Sequence, residues 1–218
     1  MKKYVLSVLC AAVLLSACVL SARAEEKEAI TLPGPKMTGG KPLMDALKER
    51  QSMREFSAKE LPLQVISDML WAANGINRPS IAHTTAPSAR NMQEIDIYVA
   101  TKNALYLYDA LNNKLIPLLN ENITAATGKQ AFVETAPINL IFVADLKKMA
   151  GLEPAAQEFY AATDTGFISQ NVYLFCASAG LATVVRGLID KPVLAKAMKL
   201  RPDQMIILAQ TVGYPRGE

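Results

Sequence analysis

One histidine, His83, and three cysteines occur in 218 residues. A single imidazole cannot build a histidine-rich metal site, and a Ser-His-Asp relay would have to rest on that one residue. His83 lies in a polar stretch and is predicted to be a surface side chain. Cys10 and Cys18 fall near the N-terminus, which leaves Cys176 as the one thiol of the chain's body. A lone thiol closes no disulfide framework. Phe175 and Ala177 beside it predict a buried, inert sulfur rather than a nucleophile. No G-x-G-x-x-G follows a strand, so a Rossmann dinucleotide site has no support. There is also no internal repeat and no low-complexity tract.

Long apolar runs are equally scarce. The first, Val5 to Leu15, is about a dozen residues, short of the roughly 20 needed to span a bilayer. With Lys2 and Lys3 before it, residues 1–24 predict an export signal. Two exits are written after it. Ala22-Arg23-Ala24 is an A-x-A cleavage site at Glu25, and Leu15-Ser16-Ala17-Cys18 (15–18) is a lipobox that would lipidate Cys18. Either places the body outside the cytoplasm, as a periplasmic protein or a lipoprotein held at the membrane only through Cys18.

Charge of one sign is also missing from the body. The chain carries 23 basic and 20 acidic residues, a formal charge of +3, and all three charges of the leader (Lys2, Lys3, Arg23) are positive. The remainder holds 20 of each sign. No basic block is left to follow a phosphate backbone, which argues against nucleic acid as a partner.

About 194 residues remain after the leader, enough for one domain. Residues 25–41 are charged, then Pro- and Gly-rich, and predict an extended arm; 42–218 form the folded domain. Helices are expected over Pro42–Glu49, Leu63–Ala73, Pro154–Gly180 and Lys191–Lys199. Strands are expected at Ile95–Val99, at a hairpin around Asn112-Asn113, and at Leu181–Val185 and Met205–Val212. Pro137 to Ala144 is nearly continuously apolar, as a strand covered on both faces would be. A meander of strands among helices favours an α+β class over a doubly wound sheet. The Pro154–Gly180 helix, apolar most of the way round, needs partners on several sides, a second subunit among them.

What the chain does have is Arg50-Gln51-Ser52-Met53-Arg54-Glu55-Phe56. Alternate residues of an extended segment point the same way, so Arg50, Ser52 and Arg54 can converge on one anion. Guanidinium forks and a hydroxyl suit phosphate oxygens. Alone, the pattern reads more readily as a solvated, charged helix end.

Taken with Ala86-Pro87-Ser88-Ala89-Arg90-Asn91-Met92-Gln93 and Gly213-Tyr214-Pro215-Arg216, the segment resembles the flavin-dependent nitroreductase superfamily. Leu32-Pro33-Gly34-Pro35, Leu70 to Ile76, Leu105 to Asp109 and Gly166 to Asn171 make the likeness closest to its SagB/thiazole-oxidase-type branch. The resemblance implies a mixed sheet sandwiched by helices, in a homodimer with FMN at the interface. It implies that Arg50 and Ser52 contact the FMN phosphate and ribityl side, with Gln51 between them. Arg54 would approach the N1/O2 edge of the ring and tune the flavin as the catalytic cation. Pro87, Ser88, Ala89 and Asn91 would come from the partner subunit. Val185, Arg186 and Gly187 would lie over the other ring edge, and Arg216 would close the phosphate site. Pro87-Ser88 also reads as a turn, Gly187 as a turn glycine, and Arg216 as part of a frayed terminus.

The activity implied is an oxidoreductase passing electrons through flavin N5 to or from a small nitroaromatic or quinone-like molecule, with no metal. An exported flavin-binding protein without turnover is the reading from another class. A modified-peptide azoline dehydrogenase is a third. Against it, the one Lys-Tyr pair is Lys3-Tyr4, in the leader. NAD(P)H is not expected outside the cytoplasm, so the electron donor is another carrier or the reaction is an oxidation.

Overall fold

The computed structural model describes residues 27–217. The export signal, the lipobox and Cys18 lie outside the described residues. Nine strands are numbered here in chain order: β1 Ile30–Thr31, β2 Ile76–Arg78, β3 His83–Thr84, β4 Ile95–Ala100, β5 Leu105–Asp109, β6 Lys114–Leu119, β7 Ile138–Asp145, β8 Ala182–Arg186 and β9 Gln204–Gly213. The helices are α1 Leu43–Glu49, α2 Leu63–Asn74, α3 Phe132–Thr135, α4 Pro154–Ala179 and α5 Lys191–Ala197.

Seven strands form one sheet in the order β1-β6-β5-β4-β7-β9-β8, and β2 and β3 form a separate hairpin. Every pairing is antiparallel. The α+β expectation holds at the level of class, and the mixed sheet is corrected to an antiparallel one. Its physical reason is the connectivity: β4, β5 and β6 follow one another as short-turn hairpins, which only antiparallel strands allow.

The continuous apolar run near residue 140 now has its explanation. Ile138, Leu140, Phe142 and Ala144 point into the core under α2 and α4, while Ile141 and Val143 point into a second core under α5. The pleat sends alternate residues to opposite faces, and here both faces are dry. Strand β4 does the same: Ile95, Ile97 and Val99 face one core, Tyr98 and Ala100 the other.

Helix α4 spans 26 residues, about 39 Å at 1.5 Å per residue. Its buried stripe is Ala161, Asp164, Thr165, Ile168, Val172 and Cys176, spaced three and four apart as one helical face requires. The opposite face stays uncovered, with Phe159 65% and Phe167 43% exposed. Helix α1 buries only Ala46 and leaves Leu43, Met44 and Leu47 exposed. The arm is tied down rather than loose. Ile30 pairs with Leu115, Leu32 is buried, and the Lys36 N–H donates to Asp68 Oδ1 at 2.8 Å.

Candidate active site

Arg50 ends α1: its N–H still donates to the Ala46 carbonyl at 2.9 Å, after which the chain turns extended. The extended stretch is stitched to the far edge of the sheet. Met53 N–H donates to Thr183 O (2.9 Å), Ser57 N–H to Tyr214 O (2.9 Å), and Arg216 N–H to Glu55 O (3.2 Å). Phe56, 1% exposed, anchors the stretch against Phe132, ring centroids 5.4 Å apart. Segments 50–57, 183–185 and 214–216 therefore meet in one place, although more than a hundred residues separate the first from the other two along the chain.

Tyr173 of α4 is the hub of this meeting. The Arg50 guanidinium carbon stands 5.2 Å from its ring centroid, a cation–π distance. Its hydroxyl lies 2.8 Å from Ser52 Oγ and accepts the Val185 N–H at 2.9 Å. A backbone N–H can only donate. The tyrosine proton can therefore go to Ser52, which leaves the serine's own proton for an anion. Beside this relay opens a cavity of about 440 Å³, lined by Lys41, Lys48, Arg50, Gln51, Tyr173 and Thr183. The cations face a single nearby acid, Glu49, which pairs with Lys41. Cys176 also lines the cavity, fully buried, and burial pushes its thiol up to about 12, so it is no nucleophile near neutrality.

Arg54 and Gln51 are exposed, and Arg54 forms no ion pair with Glu55 or Glu60 among the described residues. Its guanidinium is free for a ligand. Arg216 is held by its backbone while its side chain is exposed, so the terminus is docked at least to that residue.

The Pro87–Asn91 segment sits elsewhere. Its Ala89 N–H donates to Asp164 Oδ2 at 2.8 Å, on α4 but nine residues from Tyr173, roughly 13 Å along the axis. Within one chain the candidate residues thus form two groups at two levels of α4. Pro87 and Asn91 are exposed; Ser88 donates to Glu94 Oε2 at 3.2 Å.

Arg186 is part of the stretch expected to lie over a ring edge by its main chain, and its side chain goes elsewhere. Its side chain is 4% exposed and turned inward. It donates to Thr127 O (2.7 Å), Asn139 Oδ1 (2.9 Å) and Thr211 Oγ1 (2.9 Å). Burial pulls its pKa down to about 10, so the guanidinium stays charged. Alternation along β8 is the reason: Arg186 shares a face with the buried Ala182 and Val184, while Val185 between them points the other way. Only the backbone of Arg186 remains available to a ligand. Gly187 is exposed, with a φ outside the left-handed region, and an added Cβ would meet only Leu208 Cδ2 at 3.7 Å. Nothing within the chain demands a glycine there.

Tyr173, Lys41, Lys48, Glu94 and Asp164 escaped the reading of the sequence. Asp164 carried a signal, an acid on an otherwise apolar helical stripe; the others had none beyond their neighbours.

The nitroreductase family model matches residues 47–214. A protein of Methanocaldococcus jannaschii, provisionally named a nitroreductase, is 28% identical over 76% of this chain and 88% of its own. A crystal structure from Ralstonia eutropha JMP134, also provisionally described as a nitroreductase, is 41% identical. It covers 90% of this chain and 94% of that one with a TM-score of 0.85. The NADPH:FMN oxidoreductase from Vibrio harveyi, solved with NAD+, is 21% identical over 80% of this chain and 69% of its own. Its TM-score of 0.60 is a likeness of fold.

Proposed function

The chain belongs to the nitroreductase family of oxidoreductases, and on that premise we propose that it is an FMN-dependent enzyme acting on a small nitroaromatic or quinone-like molecule. The observation that carries this is the cationic cavity of about 440 Å³ at Arg50, with the Tyr173–Ser52 relay beside it. A volume of that order suits a small-molecule site, and its donors suit a phosphate. Arg50, Ser52 and Lys48 would hold the phosphate end, Arg54 the ring edge, and the Val185–Gly187 backbone the opposite edge. FMN, when bound, supplies the redox chemistry at its N5. The described residues contribute orientation and positive charge, with Glu49 the acid on the cavity wall, paired with Lys41. The finer place of the chain near the SagB/thiazole-oxidase-type branch, and export by the leader, belong to the same proposal.

The test is the visible spectrum of the mature protein purified from its own compartment, followed by stopped-flow reduction with candidate donors. A flavin spectrum with turnover supports the enzyme. Bound flavin that no donor reduces favours a binding protein, and protein that takes up no FMN overturns the proposal.

Two expectations follow from this reading. Arg54→Gln should retain most of the FMN but lower its midpoint potential, because a cation beside N1/O2 favours the reduced, anionic ring. An unshifted potential at full occupancy, read by redox titration, would remove Arg54 from the chemistry. The protein should also be a homodimer that shares the flavin site. Phe159 and Phe167 of α4 and Leu43, Met44 and Leu47 of α1 leave an apolar face uncovered, and such a face suits an isologous contact. Sedimentation of flavin-loaded protein should give twice the mass of the 23.6 kDa chain less its leader. A stable flavin-loaded monomer is the contrary result.

A further inference from the structure

Two carboxyl groups lie buried side by side where β4 begins against α4. Glu94 is 0% exposed and Asp164 is 2% exposed. Two adjacent carboxylates in a dry site repel and cannot both remain ionised without a cation. Asp164, from α4, is the one charge that acts on Glu94 among the described residues. Lys148 is committed elsewhere, to the Gln93 carbonyl at 3.1 Å and to the Asp96 carboxylate at 2.9 Å. Asn74, Thr84, Ser88 and Ile168, which line the same small space, carry no charge.

The hydrogen bonds divide unevenly between the two acids. Asp164 Oδ2 accepts the Ala89 N–H at 2.8 Å. Glu94 Oε2 accepts the Ser88 hydroxyl at 3.2 Å, and Ser88 Oγ in turn accepts the Gln93 N–H at 2.7 Å. Glu94 Oε1 is buried and has no partner among the hydrogen-bond donors present. A proton on that oxygen would make it a donor toward Asp164 and leave every other bond intact.

The segment these acids grip needs gripping. Arg90, Asn91 and Gln93 all adopt left-handed backbone conformations, with φ of 53°, 55° and 49°. Such a backbone is strained for a residue other than glycine and persists only where its surroundings hold it.

We propose that Glu94 and Asp164 share one proton and that this pair positions the Pro87–Asn91 segment, Asp164 through the Ala89 backbone and Glu94 through the Ser88 hydroxyl. The inference rests on the reading that this segment borders the cofactor, but only for its consequence. The pair itself is a property of the chain. Burial raises the Glu94 pKa above the ordinary 4.5, a backbone hydrogen bond and the Ser88 bond oppose it, and the Asp164 charge and their shared hydrogen bond add to it. A raised acid contributes its stability fully below the ordinary value and loses it as pH climbs through the folded-state value. The segment is therefore held at low pH and released as the shared proton leaves.

Infrared spectroscopy and amide hydrogen exchange on the mature full chain, with and without FMN, test this. Wild-type protein should keep a protonated-carboxyl C=O band at a pH where its exposed carboxyls have ionised. Glu94→Gln should abolish the band, and Asp164→Asn should shift it by changing its partner. The glutamine amide can donate to Asp164 as the acid does, so Glu94→Gln should keep the Ala89 and Gln93 amides protected and remove the pH dependence of that protection. Asp164→Ala should speed Ala89 exchange about tenfold or more. Absence of the band, its survival in Glu94→Gln, or the same pH dependence in that variant would each overturn the proposal. If these results hold in protein that takes up no FMN, the pair stands and the cofactor reading fails.

Discussion

Alanine at position 50 is expected to weaken FMN binding by about 2 to 3 kcal/mol, a loss of one to two orders of magnitude, while riboflavin binding changes far less. The guanidinium is half-buried against the Tyr173 ring at the mouth of the cationic cavity, where a charge-assisted bond to phosphate is only partly screened. Lysine at the same position keeps the charge but not the fork, and should recover part of the loss. Fluorescence titration of apoprotein with both ligands makes the comparison. Since Arg50 also packs on Tyr173, a general loosening of the relay would weaken riboflavin as much as FMN. That equality would show that Arg50 does not read the phosphate.

The second large effect lies away from the cavity. Gly128→Ala should destabilise the fold by roughly 2 to 4 kcal/mol, as expected when a buried charge is displaced from its partners. Gly128 has an extended backbone, with φ 176°, that any residue can adopt, so the demand is one of space. An added Cβ would lie 1.9 Å from Arg186 Nη1 and 3.0 Å from Gln130 Oε1. A free arginine tip would swing aside at little cost. This one is held by Thr127, Asn139 and Thr211, and moving it strands a buried cation. In an Arg186→Met background the clash has no guanidinium to meet, and the alanine should cost much less. Urea denaturation of the four proteins completes the cycle. A Gly128→Ala cost below about 0.5 kcal/mol, inside the range of an ordinary surface change, would refute it.

Much of the architecture could be read from local pattern. The dense apolar run at residues 137–144, the β-branched stretch at 95–99 and the three-and-four spacing through 161–176 each report how many faces of an element are dry. Burial and periodicity are properties of neighbouring residues, so those elements fall where the pattern put them. Arg50 and Ser52 were legible as a pair for a similar reason, since an extended backbone sends alternate side chains one way and both meet Tyr173, whereas Arg54, next in that alternation, stands exposed and apart from the cavity lining. The β2–β3 hairpin was not. Its strands are three and two residues long, too short for a period to show.

What only the tertiary structure decided is which partner each polar side chain meets. Nothing local distinguishes Arg186, locked to Thr127, Asn139 and Thr211, from Arg54, free at the surface; the difference is the side of β8 on which its side chain leaves the sheet. Tyr173 looked like one more large residue in a buried stripe, and became the hub of the site because α4 brings it to Ser52, 121 positions away. Glu94 and Asp164, 70 positions apart in number, became a pair only when α4 crossed the start of β4. Periodicity fixes the face on which a residue sits, a short-range matter. Which charge or hydroxyl stands opposite depends on how distant segments pack.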